Sequence, residues 1–501
     1  MSKNNMSMRT MFKHKRESNT RKNFHWHILI FSTAVWAGVF ILSQILSGTN
    51  NFVLEYTPEE GVVVARSSMH VQLEPVKPPA VLRLLAEPLI AFAFVVGTAD
   101  IACTAFITAL LLAFIMVAQS LYRGQSIGDI LRALIASIIL SAQVFTVACW
   151  LSFYAPTMRY KAVKRGCAIA NLHAHTYYSS GLFSPAAVVE WHRRRGFKVL
   201  AVTDTNTIRG GIEAQLYAME KGYEMIVIAG KELRSKTHLL LLGINRNYNP
   251  EKEPDQVAKE VRSAGGVAIV AHVWTAHHPV DELALYVDGF EVINRNIISD
   301  NVPLWQAFYN TFALISSNDF KFGAHSFTAT CLHGEIQDVK SALEALRSGK
   351  TLPMTWLTHL PISPYEYELQ SWVDKLRTVA AALLLYLAFF DIWAALGWAI
   401  ATVIGFVVIQ MVIGTRRTYA RMHRTAQMRA NILVGCLNLI MMVAGIACVL
   451  FGTLWTWSPT LKMALGYHPY LVILTWLIGD LLFFWRRRQA IRKQAWVISK
   501  I

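Results

Sequence analysis

The sequence predicts an α/β barrel set between two membrane regions, and three observations carry that reading. Between residues 166 and 360, seven short aliphatic runs (CAIANLH, KVLAVTD, EMIVIAGKE, HLLLLGI, GVAIVAH, GFEVINR and ALISSND) alternate with longer mixed segments, most of them helical in pattern. Such alternation belongs to a parallel α/β barrel or a close relative, whose chemistry sits at the carboxyl ends of the strands. Long uncharged runs lie on either side, and the chain is 54% hydrophobic and only 16% charged, too apolar for a wholly soluble protein of this size. The net charge of +16 is uneven: the tail before Trp26, the segment 415–429 and the tail after Trp485 hold the whole excess, whereas residues 165–350 carry nineteen basic and nineteen acidic side chains. That distribution reads as positive-inside topology and gives no sign of a nucleic-acid surface.

From the N-terminus, a basic tail (1–27) precedes the apolar run ILIFSTAVWAGVFILSQILS at 28–47, long enough to cross a hydrocarbon core of about 30 Å. It reads as an anchor, because no convincing small-residue cleavage pattern follows it. Further runs at 89–118, 132–154, 376–414, 430–457 and 466–485 bring the expected total to six to eight spans. The organisation is thus a membrane region at 28–158 with about three spans, a barrel domain at 159–365, a membrane region at 366–485 with about three to four spans, and a basic tail at 486–501. The 376–414 run is too long for one helix and fits a hairpin turning at Asp391. Asp100, Asp391 and Asp480 lie in or beside apolar runs and read as helix ends or turns, with no intramembrane Lys or Arg evident as a partner. Three spans before the barrel put it outside the cell and four put it inside. The expectation is an integral protein of the plasma membrane, in contact with the lipid bilayer, with the side of its soluble domain open and its oligomeric state not legible.

Of six cysteines, Cys103, Cys149, Cys436 and Cys448 lie in apolar runs as small buried side chains, and Cys167 and Cys331 remain in the barrel region. No CxxC occurs, so neither a zinc ribbon nor a redox motif is supported. The polar residues at or beside the strand ends are His173 and His175, then Asp204, Glu232, His238, His272 and Asp319. Six of the seven units therefore place an imidazole or carboxylate at one rim, a ligand set suited to Zn, Mn or Fe. Only GFEVINR offers no obvious ligand, with Glu291 and Asn294 as outside candidates.

In order and spacing, NLHAHTYYSSGLFSP, LAVTDTNTIRGG, IAGKEL, HLLLLG, VAIVAHVW and SSNDFK resemble the motifs of the PHP (polymerase and histidinol phosphatase) family over about residues 166–350. The resemblance implies a distorted seven-stranded (βα) barrel of PHP type, here flanked by transmembrane α-helices, that binds up to three divalent metals and hydrolyses phosphoesters. By the same resemblance His173, His175, Glu232 and Asp319 surround one metal and Glu232, His238 and His272 the second, with Glu232 bridging.

Four positions depart from the family pattern. Asn171 stands where the opening motif has Asp, Ser180 replaces the Asp of Ser-Asp-Gly, Thr205 the His of Thr-Asp-His, and Lys321 the final His. The last three changes dismantle the third metal site, leaving two divalent ions as the expected cofactors. Lys321 either returns one positive charge for the missing ion or is a surface residue, with His325 a replacement ligand nearby. Lys321, Asp204 and Arg209 are the candidate catalytic and phosphate-orienting residues, with Arg234 beside them and Asp204 read as an orienting group. The expected function is a membrane-anchored, metal-dependent phosphoesterase in which two metals activate a water toward a phosphate ester. The rival is an inactive PHP-like membrane sensor or scaffold that binds a metal or phosphorylated ligand without turnover.

Overall fold

The computed structural model describes residues 34–41, 53–57, 61–65, 71–99, 101–122, 126–152, 155, 157–163, 166–181, 183–273, 280–295, 297–298, 312–321, 328–356 and 372–419. Contacts divide the chain into two units, one of Met1–Thr49, Pro78–Leu89 and Tyr386–Cys436, the other of Asn50–Lys77, Ile90–Leu385 and Leu437–Ile501.

The second unit contains the barrel. Strands β1 (Val53–Thr57) and β2 (Gly61–Ala65) form an antiparallel hairpin, and β3 (Val71–Val76) pairs with β4 (Thr157–Ala162). All seven predicted runs are strands: β5 (Cys167–Asn171), β6 (Val199–Val202), β7 (Ile226–Leu233), β8 (Leu239–Leu242), β9 (Val267–Val270), β10 (Gly289–Asn294) and, after the short β11 (Ile297–Ile298), β12 (Ala313–Ser317). Two further strands, β13 (Thr328–His333) and β14 (Thr351–Trp356), follow. The order is β11-β10-β9-β8-β7-β6-β5-β13-β14-β1-β2, with β12 parallel to β10. On its other side β12 is met by β13 and β14: Ser316 N donates to Thr330 Oγ1 at 2.8 Å and Met354 N to Ser316 Oγ at 3.1 Å. Among the described residues the barrel is nearly closed by nine strands, β5–β10 and β12–β14, two more than expected, and it is not wholly parallel. Strand β8 runs antiparallel to β7 and β9 because only residues 234–238 separate it from β7, far too few for a parallel crossover.

Strand alternation sorts the core. Leu240 and Leu242 face inward with Ile226, Ile228, Val267 and Ile269, where Leu343 and Leu346 of the helix Val339–Arg347 fill the barrel floor. Leu239 and Leu241 face outward against Val257 and Val261 of the helix Pro254–Ser263. The segment SPAAVVEWHRRRG forms the helix Pro185–Arg194, capped by Ser184, started by Pro185 and ending with His192, Arg193 and Arg194 in its last turn. It stops at Gly196, whose φ of +84° needs no side chain and whose missing Cβ leaves room for the Tyr160 carbonyl. Cys167 and Cys331, expected only to share the barrel region, are joined by a disulfide between neighbouring strands, with Cα atoms 5.4 Å apart.

The predicted 89–118 run is two helices, Ala80–Thr98 and Ile101–Tyr122, and the 132–154 run is the helix Ile127–Leu151. Among the described residues one helix, Ala80–Thr98, is by itself long and apolar enough to cross a membrane. Asp391 stands between the helices Trp372–Ala388 and Ile392–Tyr419, at the turn the sequence placed there, and its Oδ1 accepts from Trp393 N and Ala394 N, both at 3.1 Å. The expectation that it has no basic partner is corrected within the first unit. Arg83 Nη1 lies 2.6 Å from Asp391 Oδ2, Arg83 Nε lies 2.9 Å from Glu87 Oε2, and the Tyr386 hydroxyl donates to Glu87. Residues 83 and 391 are 308 apart, and nothing local in the sequence reports such a pairing. Asp100, Asp480, Cys436, Cys448, His325 and the runs at 430–457 and 466–485 lie outside the described residues.

Candidate metal centre

Six predicted ligands converge at one mouth of the barrel. His173 and His175 follow β5, Glu232 sits near the end of β7 on the face of Ile226 and Ile228, His272 follows β9 and Asp319 follows β12. His238 precedes β8, and reaches the same rim because that strand runs antiparallel to its neighbours. His173 Nε2 and His175 Nε2 are 3.2 Å apart, and Asp319 Oδ1 lies 3.7 Å from the first and 3.1 Å from the second. Glu232 Oε1 lies 3.1 Å from His238 Nδ1 and 3.4 Å from His272 Nε2, while its Oε2 is 3.7 Å from His175 Nε2. Among the described residues the donors form three metal-sized groups, His173/His175/Asp319, Glu232/His238/His272 and His173/His272/Glu291, and Glu232 lies between the first two.

The hydrogen-bond pattern tests whether cations fit. His173 Nδ1 is 3.1 Å from Glu291 Oε1, so it carries the hydrogen. His175 Nδ1 is 3.1 Å from Ser179 Oγ, whose own hydrogen goes to Asp204 Oδ1 at 2.6 Å. Both Nε2 atoms therefore present lone pairs, to each other and to Asp319 Oδ1, which is buried with no hydrogen-bond partner. His238 Nδ1 is likewise buried and unbonded. Lone pairs packed this closely in a dry pocket repel unless a cation or proton lies among them, and imidazole with carboxylate is a donor set for divalent transition metals. The residues fit the group.

Charges agree. Burial alone would raise Glu232, but the imidazoles of His238, His272, His173 and His175 outweigh it and hold the carboxyl well below its usual range. Asp319 is lowered in the same way against burial, by His173, Lys321, His175 and Arg295. Burial lowers the His173 imidazole, yet Glu291, Asp319 and Glu232 lift it to about 9, so these carboxylates hold a proton on His173 wherever a cation does not take its place. Four described non-glycine residues have positive φ, namely Asn206 (58°), His272 (44°), Arg295 (57°) and Asp319 (39°), and all stand beside strand ends at this mouth. Strained backbone gathered at one rim is a mark of a functional site.

Glu291, which the strand-end reading set aside, is the hub behind the ligands. It alternates on β10 with Phe290 and Val292, which face the outer layer, and is fully buried. Besides His173, its carboxylate accepts from His272 N at 2.9 Å, Asn294 Nδ2 at 3.1 Å and the Ser317 hydroxyl. His173 and His272 outweigh burial and hold it at about 2. The available signal was an acid on an inward position of a barrel strand.

Asp204 touches no metal donor. Its oxygens accept from Thr176 N, Thr176 Oγ1 and Ser179 Oγ, each at 2.6 Å, so it orients His175 through Ser179. Gly210 makes room for it, since a Cβ there would run into Asp204 Oδ2 and Thr176 Oγ1. Thr205 Oγ1 donates to Glu232 Oε2 at 2.9 Å. Asn171 uses both ends of its amide: Oδ1 accepts from Asn318 N at 3.1 Å, and Nδ2 meets His192 Nε2 at 2.8 Å. Lys321 Nζ is 2.9 Å from Asp319 Oδ2. Arg209 is exposed, 3.7 Å from Glu213 and over the Tyr178 ring, and is not among the converging groups. Arg234 is also exposed, its backbone N held by Asn206 Oδ1.

No family model matches the chain. It is 30% identical over 155 residues to uncharacterized protein MJ1587 of Methanocaldococcus jannaschii, an alignment covering 27% of this chain and 88% of that protein. With uncharacterized protein MJ1295 of the same organism it shares 26% identity over 118 residues, covering 23% of this chain and half of the other. Among solved structures, it is similar to a Bacteroides vulgatus two-domain protein containing a predicted PHP-like metal-dependent phosphoesterase, at 19% identity and a TM-score of 0.33, over 37% of this chain and 65% of that one. It is similar also to a Chromobacterium violaceum amidohydrolase with bound sulfate, at 16% identity and a TM-score of 0.26, over 31% and 90% of the two chains.

Proposed function

We propose, for a chain that belongs to the same family as uncharacterized protein MJ1587 of Methanocaldococcus jannaschii, a metal-dependent phosphoesterase whose barrel is tethered to a membrane. The observation that carries the reading is the pair of donor groups His173/His175/Asp319 and Glu232/His238/His272, with Glu232 Oε2 3.7 Å from His175 Nε2 between them and with Asp319 Oδ1 and His238 Nδ1 buried without a hydrogen bond. His173, His175, Asp319 and Glu232 would hold one divalent cation, and Glu232, His238 and His272 a second. Bound there, two cations supply a Lewis-acid centre that acidifies water and polarises phosphoryl oxygens. The chain's own part is to keep the ligands in one protonation state. Glu291 holds the hydrogen of His173 on Nδ1, and Asp204, through Ser179, does the same for His175. The PHP-type motifs, in order along the same strands, support hydrolysis of a phosphate ester in particular. The long apolar runs and positive-inside charge pattern support the membrane tether.

The full chain in detergent, loaded with Mn²⁺, is assayed with a generic phosphomonoester, and its metal content is measured alongside. Metal-dependent turnover with about two ions per chain is the expected result. A protein that takes up no divalent metal, or that binds it and turns over no phosphoester, sinks the reading.

A further inference from the structure

From the arrangement behind Asp319 we infer that Arg295 and Lys321 form a cationic clamp for the phosphoryl oxygens of a phosphomonoester, beside the proposed metal pair; the inference rests on the phosphoesterase reading. Asp319 divides its two carboxylate oxygens. Oδ1 faces His173 and His175, whereas Oδ2 faces away, with Lys321 Nζ at 2.9 Å and Arg295 Nη2 at 3.9 Å. Arg295 Nη2 also donates to the Asp319 carbonyl at 3.2 Å. Two cations therefore share one carboxylate that is itself turned toward the ligand imidazoles, so at least one positive charge at this wall is uncompensated by it.

Neither cation is a solvated surface group. The Lys321 side chain is 23% exposed and that of Arg295 33%, enough for a ligand to reach them while screening stays weak. Arg295 Nε is buried and makes no hydrogen bond, so a ligand is met by the Nη end of the guanidinium. The residue is also locked in place. Its φ of +57° is fixed by Arg295 N donating to the Ser317 carbonyl at 2.8 Å and by Thr328 Oγ1 donating to the Arg295 carbonyl at 2.6 Å. Holding an arginine in a left-handed conformation costs free energy that a merely solubilising residue would not need.

The ligand chemistry follows from the charges. A guanidinium and an ammonium side by side recognise an anionic oxygen, the first through paired N–H groups and the second as a point charge. A phosphomonoester at neutral pH offers one more anionic oxygen than a diester, so the clamp favours monoesters. Lys321 stands where the resembling family has a metal-ligating histidine, and here a fixed side-chain charge takes the place of an ion.

The test uses the full chain in detergent, loaded with Mn²⁺, as wild type, Lys321→Gln, Arg295→Gln and the conservative Arg295→Lys. Mn content is measured, inorganic phosphate binding is followed by calorimetry, and kcat/KM is compared for para-nitrophenyl phosphate and bis-para-nitrophenyl phosphate. The expected result is wild-type Mn content with phosphate affinity lowered about tenfold in each Gln variant, part of it restored by Arg295→Lys, and a lower monoester-to-diester ratio. Phosphate affinity within twofold of wild type, or an unchanged ratio, overturns the clamp and leaves the hydrolase reading standing. Loss of Mn together with phosphate affinity also overturns it, since both residues would then only position Asp319. A wild-type protein that binds no Mn overturns the hydrolase reading, and the clamp with it.

Discussion

Glu291→Gln separates a preorganised metal centre from a chance meeting of imidazoles. The substitution keeps the size of a fully buried side chain but removes its charge and turns one of its acceptor oxygens into a donor. Two bonds matter most: His173 Nδ1 at 3.1 Å, which supports one proposed site, and His272 N at 2.9 Å, which supports the other. A hydrogen bond to a charged acceptor contributes about 1.5–3 kcal/mol and a neutral one about 1 kcal/mol, so each site loses roughly 1–2 kcal/mol. The amide hydrogens would also face Asn294 Nδ2 and the Ser317 hydroxyl, both donors in the wild type. A fall of about 10–100-fold in Mn²⁺ affinity is expected at both sites, in line with what outer partners of metal ligands generally contribute. Calorimetric Mn²⁺ titration of the full chain measures it, with circular dichroism as the check that the barrel persists. A folded variant that retains both affinities within twofold refutes the reasoning, as does one that loses a single site.

Other expectations follow from the same geometry. Glu232→Ala removes a donor of the Glu232/His238/His272 group whose other oxygen lies 3.7 Å from His175 Nε2, so metal and phosphoesterase activity should vanish together; full turnover in that variant would contradict the assignment. Asp204→Asn should weaken mainly the His175 site, by about tenfold, because its side chain reaches the ligands through Ser179 and through Thr176, the residue after His175. Burial and Arg195 push the His192 imidazole down to about 3, against the backbone acceptor at Val188. The unfolded chain therefore binds the proton more tightly, and stability is lost as pH falls from about 6.5 toward 3, at up to about 1.4 kcal/mol per pH unit. Asn171→Asp should flatten that slope in thermal melts, since an acceptor facing Nε2 favours the protonated ring; an unchanged slope would remove His192 from the account. Arg83→Met leaves Glu87 buried without its partner and should cost about 3–5 kcal/mol in detergent melts, whereas Arg83→Met with Glu87→Met should recover most of the loss. Equal damage in the single and double variants would argue against an ion-pair role.

Much of this architecture was legible in the chain because its causes are local. A run such as HLLLLGI is a strand wherever aliphatic residues alternate between an inner and an outer layer, and SPAAVVEWHRRRG carries its own cap, start and stop. The rim residues His173, His175, Glu232, His272 and Asp319 were legible for the same reason, since the ends of barrel strands meet at one mouth. Strand direction was less so: β8 is antiparallel only because its link to β7 is short, and β13 and β14 follow the seven units that the alternation revealed.

By itself, then, the sequence determined which segments are strands, where acids and imidazoles stand along them, and how unevenly charge and apolar residues are distributed. Partnerships between distant residues were decided by tertiary structure alone. Glu291 reaches His173 across 118 positions, Arg83 reaches Asp391 across 308, and Arg295 and Lys321 both lie against Asp319 Oδ2. The physical reason is that a buried charge takes whichever partner the closed barrel or the packed helices bring within about 4 Å, where low dielectric makes the interaction strong. That partner is set by packing, and spacing along the chain does not encode it.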